Sequence, residues 1–102
     1  MNSYITNLYP IHNDAQPMQT ITVGATVVSF ADNFDTRTNV VMFTLHNGSI
    51  YLTFDESTPS ASNGHIILSP YVGWFNKNTA RKIKMLKHGG ASPEVAISQF
   101  TN

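Results

Sequence analysis

The sequence predicts a single all-β domain, an antiparallel β-sandwich of jelly-roll type, preceded by an extended N-terminal arm. Three observations carry that expectation. Thr, Val, Ile, Tyr and Phe recur in short runs that alternate apolar and polar residues. Clusters of Gly, Pro, Asn, Asp and Ser separate the runs. The chain has 102 residues, the length of one domain, and a domain of that size buries roughly 65% of its unfolded surface. One thin core follows, and oligomerisation would reinforce it.

Residues 1–18 contain Pro10 and Pro17 and show no period; prolines so placed favour extended backbone over helix, so this segment is expected to be an arm. The sandwich then occupies residues 19–102. Residues 19–23 alternate with Ile21 and Val23 on one face, Gly24-Ala25 interrupts, and residues 26–30 resume. An Asp/Asn-rich loop covers 31–36. The longest run, 38–46, places Val41, Phe43 and Leu45 together, and residues 49–54 place Ile50, Leu52 and Phe54 together. Between those two runs, Asn47-Gly48 offers two residues that tolerate positive φ, so a tight hairpin is expected there. Asn47-Gly48-Ser49 also fits a glycosylation acceptor pattern, but the turn explains the same residues without a modification.

Residues 55–64 form a polar loop, and 65–68 and 71–76 are short strands flanking Ser69-Pro70. Residues 79–87 admit a helix capped by Thr79 or a strand. The alternation Lys82-Ile83-Lys84-Met85 favours the strand. His88-Gly89-Gly90 turns the chain, and residues 94–100 close the sheet with Val95 and Ile97 inward.

Composition narrows function. Lys+Arg and Asp+Glu balance at six each, which argues against bulk electrostatic capture of nucleic acid or an anionic membrane. There is no cysteine, which excludes disulfides and thiolate metal sites. The apolar runs fall far short of the ~20 residues of a membrane helix. Met1-Asn2-Ser3-Tyr4 lacks the basic start of a secretory signal, so a soluble chain is expected.

Catalytic candidates are sparse. Asp55-Glu56 pairs two carboxylates, but neighbours on a strand end point to opposite faces. His12, His46, His65 and His88 are scattered, without metal spacing. Gly89-Gly90 does not lead from a strand into a helix as a phosphate loop would, and Ser57 lacks the glycines of a nucleophile elbow. The expectation is a non-enzyme with no cofactor. Partner-binding candidates are clearer. Five of six basic residues, Lys77, Arg81, Lys82, Lys84 and Lys87, lie in one eleven-residue window, a stripe for an acidic partner surface or a nucleic-acid backbone, or else a solvated, lysine-guarded edge strand. Trp74 precedes it, and Tyr4 and Tyr9 sit in the arm; with Tyr51 and Tyr71, these aromatics suit an interface or a sugar platform.

The segment Tyr51-Leu52-Thr53-Phe54-Asp55-Glu56-Ser57-Thr58-Pro59-Ser60-Ala61-Ser62-Asn63-Gly64-His65 resembles a pattern in small structural proteins of tailed bacteriophages. There a strand ending in Phe-Asp runs into a Ser-Thr-Pro loop that closes on Asn-Gly before an apolar strand, a role Ile66-Ile67-Leu68-Ser69-Pro70-Tyr71 fills here. Ile21-Thr22-Val23-Gly24-Ala25-Thr26-Val27 is similar to their opening strand pair, and Leu45-His46-Asn47-Gly48 to their first tight hairpin, so the likeness spans roughly residues 19 to 100. Where those proteins place a glycine-rich turn this chain has Pro70-Tyr71. The resemblance implies a virion component made in the host cytoplasm: a capsid decoration (cement) protein that binds the major capsid protein, or a neck or tail accessory protein. It further implies a homo-oligomer, with a trimer favoured, and carries no catalytic residues. Nucleic acid and membrane are not expected partners.

Overall fold

The computed structural model describes residues 11–13, 16–30 and 34–101, which hold nine strands and one helical turn. The strands are β1 (Ile11–His12), β2 (Gln19–Thr22), β3 (Val28–Ser29), β4 (Val40–His46), β5 (Ser49–Thr53), β6 (His65–Leu68), β7 (Tyr71–Asn76), β8 (Lys84–His88) and β9 (Glu94–Thr101). The helical turn α1 (Lys77–Ala80) links β7 to β8. Two antiparallel sheets pack together. In the first the order is β1-β9-β4-β7, with β2 continuing along β9 where β1 stops; in the second it is β3-β8-β5-β6. Of the expected arm, residues 11–13 and 16–18 are described, and within them Ile11–His12 is a sheet strand paired with Thr101 and Phe100. Tyr4 and Tyr9 lie outside the described residues.

Alternation decides the core. Val41, Phe43 and Leu45 of β4 and Val95 and Ile97 of β9 face Ile50 and Leu52 of β5 and Met85 of β8, all at most 1% exposed. The period-two pattern put these side chains on one face of each strand, and burying that face is what closes the sandwich. Phe43 is the hub: its ring meets Phe30, Tyr71 and Phe75 edge-on at centroid distances of 5.9, 6.0 and 5.8 Å. Directly opposite Phe43 on β7 is Gly73, whose missing side chain lets the Tyr71 and Phe75 rings close over it.

One buried polar knot interrupts the apolar interior. Gln99 is 1% exposed, and its Oε1 accepts from the Thr38 hydroxyl at 2.6 Å and the Asp35 backbone N–H at 3.0 Å. A buried carbonyl oxygen with two donors is satisfied, and it ties the loop before β4 to β9.

Two expectations need correction. Asn47 (φ 61°) and Gly48 (φ 143°) do adopt left-handed backbone, but they do not close a hairpin. β4 pairs with β7 and β9, whereas β5 pairs with β6 and β8, so Asn47-Gly48 is a corner carrying the chain from one sheet to the other. The Asn47 side chain fixes the corner by donating to the Ser92 carbonyl, and Gly48 N–H donates to Ser69 Oγ at 3.0 Å. Residues 79–87 are not one strand. Asn76 Oδ1 accepts the Thr79 N–H at 2.8 Å and so caps a single helical turn that starts at Lys77, and the strand begins only at Lys84. Ala80 and Ile83, both 1% exposed, plug the end of the core from this turn.

Candidate functional site

The four described histidines occupy separate places. His12 meets the Phe100 ring, His46 ends β4 opposite Glu94, His65 lies against Phe54, and His88 against Tyr51. Among the described residues no three His, Asp or Glu side chains gather as a metal site. Asp55 is a turn residue: it accepts from the Ser57 hydroxyl and the Ser57 N–H, and these bonds hold its carboxyl below the ordinary range. Ser49 Oγ lies 2.7 Å from His88 Nδ1 and also donates to the His88 carbonyl at 2.9 Å. A hydroxyl has one proton. Its place, on the carbonyl or on Nδ1, follows the tautomer of His88.

The basic window does not form one stripe. Lys77 Nζ donates to the Asp35 and Thr36 carbonyls at 3.3 and 3.5 Å. Arg81 and Lys82 are exposed and share an open depression of about 350 Å³ with Glu56 and Asn78. A second hollow of about 170 Å³ is lined by Lys77, Arg81, Phe34 and Thr36. These three cations therefore cluster at the helical turn. Lys84, opposite Ser29 and Thr53, lies elsewhere, on the outer face of the second sheet. Lys87 is opposite Ile50 and so falls on the other face of β8, while its backbone N–H donates in the sheet plane to the Gly24 carbonyl. Alternation along β8 separates what proximity in sequence suggested. The sixth basic residue, Arg37, pairs with Asp35 at 3.3 Å.

Trp74 belongs to a different surface. It is half-exposed on the outer face of the first sheet, and its ring meets Phe100 across β4 at 5.2 Å. Val40 and Met42 share that face, because they stand opposite Phe100 and Trp74. A depression of about 280 Å³ continues along the same face, lined by Met18, Thr20, Thr44, His46, Glu94 and Ala96. The second sheet repeats the theme on its outer face with the row Ile66, Tyr51 and Leu86. Sequence reasoning found Trp74 but missed Met42, Phe100, Ile66 and Leu68. The signal was present: β4 reads Val-Val-Met-Phe-Thr-Leu-His, and Val40 and Met42 break the polar half of the alternation, as a strand apolar on both faces does.

The chain matches no protein-family model, no curated protein and no solved structure.

Proposed function

We propose that the protein is a non-enzymatic assembly module, and specifically a virion decoration or accessory protein that binds neighbouring capsid or head–tail subunits through its outer sheet faces. The carrying observation is the Trp74–Phe100 surface with Val40 and Met42. It is an open, aromatic and apolar sheet face, the composition of an interface core, with no enclosing cleft of the kind small substrates occupy. The strand order supports the same reading. With β1 and β2 taken as one interrupted strand, the orders become 1-8-3-6 and 2-7-4-5, the arrangement of a jelly roll, an architecture used by capsid and lectin domains. Fold alone does not choose a function, so the reading rests on the surface, with the phage-like loop of residues 51–65 beside it.

The test is fractionation. Particles purified from the encoding phage on a density gradient should contain this chain, and Trp74→Lys should release it into the soluble fraction while circular dichroism stays unchanged. A chain absent from purified particles overturns the reading. One observation favours a second reading, a carbohydrate-binding module: the sheet face that carries Trp74 also carries a depression lined by polar Thr44, His46 and Glu94. Glycan-array signal lost on Trp74→Ala would move the conclusion there.

A further inference from the structure

We propose that the edge strand β7 pairs antiparallel, about a two-fold axis, with β7 of a second copy of this chain.

The direction of the backbone groups follows from hydrogen bonds at the strand ends. Lys77 N–H donates to the Asn39 carbonyl in the register that pairs Val40 with Asn76. Hydrogen-bonded pairs alternate along an antiparallel ladder, so Tyr71, Gly73 and Phe75 turn their N–H and C=O groups to β4. Val72, Trp74 and Asn76 must then turn theirs outward. The far side of the sheet gives the same phase: Val23 N–H donates to the Pro93 carbonyl and Asn13 N–H to the Gln99 carbonyl, which leaves the even residues of β9 and β4 facing each other and the odd residues of β4 facing β7. On β6 the bond from Ser69 N–H to the Gly48 carbonyl likewise turns Ile66 and Leu68 to the edge.

Among the described residues nothing pairs with that edge of β7 or of β6. Proteins ordinarily guard such edges with lysine, proline, bulges or brevity. The opposite flank obeys the rule: β3 has two residues, and the strand along β9 is interrupted between β1 and β2. The β6–β7 flank does not. From His65 to Asn76 there is no Asp, Glu, Lys or Arg, and Ile66, Leu68, Val72 and Trp74 are four of the six exposed large apolar residues among those described. An open ladder accepts only extended backbone. A charged partner finds no counter-charge here, whereas an identical neutral edge meets no repulsion. With Gly73 on the axis, the outward-turned residues pair as Trp74 of each copy with Val72 of the other, apolar against apolar in both halves of an isologous contact. The inference is independent of the functional reading: a monomer overturns the pairing and leaves particle binding standing.

Sedimentation equilibrium of the full chain at roughly 100 μM, where a dimer of ~10 μM affinity is mostly formed, should return twice the chain mass of 11.3 kDa. Val72→Pro removes only an edge-facing N–H and should halve that mass. Trp74→Lys, which keeps every backbone group, should do the same and decides the matter if the proline variant does not fold. Thr20→Pro on the guarded flank should remain dimeric. A wild-type monomer, a trimer, or a dimer that survives Trp74→Lys overturns the proposal.

Discussion

Gly73 sits in the middle of a strand, where glycine ordinarily costs roughly 0.5–1 kcal/mol relative to alanine, so Gly73→Ala would be expected to stabilise on backbone grounds. The surroundings reverse the sign. A Cβ at this position would lie 2.8 and 2.9 Å from the Tyr71 hydroxyl and ring and 3.0 Å from Phe75 Cζ. Ordinary contact begins near 3.4 Å, so both rings must retreat by about 0.4–0.6 Å, against close packing that has little give. Behind them is Phe43, fully buried and itself held by Phe30. Overpacking of this kind costs about 1–3 kcal/mol, and subtracting the backbone gain leaves a net loss centred on about 1 kcal/mol and reaching about 2.5 kcal/mol. For a domain of this size each kcal/mol lost lowers Tm by about 4–8 °C. Gly90→Ala is the matched control: no atom lies within 4 Å of its Cβ, so it should gain up to about 1 kcal/mol. Urea unfolding of the two variants beside the wild type gives both numbers. A Gly73→Ala protein as stable as Gly90→Ala would refute the claim that the aromatic cluster requires the missing side chain.

Other consequences can be checked on the same samples. Gln99→Met should cost about 2–4 kcal/mol in urea unfolding, because the Thr38 hydroxyl and Asp35 N–H lose their buried acceptor; Thr38→Val, which removes one donor and keeps the shape, should cost only about 1 kcal/mol. Asn76→Ala should cost about 1 kcal/mol by uncapping Thr79, and Asn76→Asp should retain most of it. The Arg37 N–H and guanidinium hold the Asp35 carboxyl below its ordinary range, as Ser57 does for Asp55. Groups with lowered folded-state pKa bind more protons when unfolded, so their stabilisation is complete above the ordinary carboxylate pKa of about 4 and is lost as pH falls below it. Thermal scans should therefore show Tm dropping below about pH 4, with a smaller drop in Asp55→Asn.

Much of the fold was legible because its signal is local. The runs 65–68 and 71–76 are rich in strand formers and bounded by Gly64 and Ser69-Pro70, and β6 and β7 occupy those residues. Asn47-Gly48 marked a tight reversal correctly but not its kind. In a two-residue hairpin Leu45 and Ile50 lie on one face, and in a corner between sheets they face each other across the core, so both geometries demand the same alternation. The break at Lys77–Ala80 depends on one side chain, Asn76, whose capping role outweighs the apparent period downstream. The basic window looked continuous because Lys82 and Lys84 are two apart, yet Lys82 precedes the strand and Lys87 has opposite parity. The outer aromatic surface depends on Phe100 coming within reach of Trp74, a juxtaposition set by sheet order and invisible in either segment alone.

The position of β9 fixes an order of events in biosynthesis. It stands between β2 and β4, so β2 cannot join the sheet, and β4 has only β7 to pair with, until residues 94–101 have been made. The second sheet needs nothing beyond His88. A growing chain therefore holds Val41, Phe43 and Leu45 with β7 on one side and the β9 side open until those residues emerge, an interval in which sticky surface is exposed to misassociation.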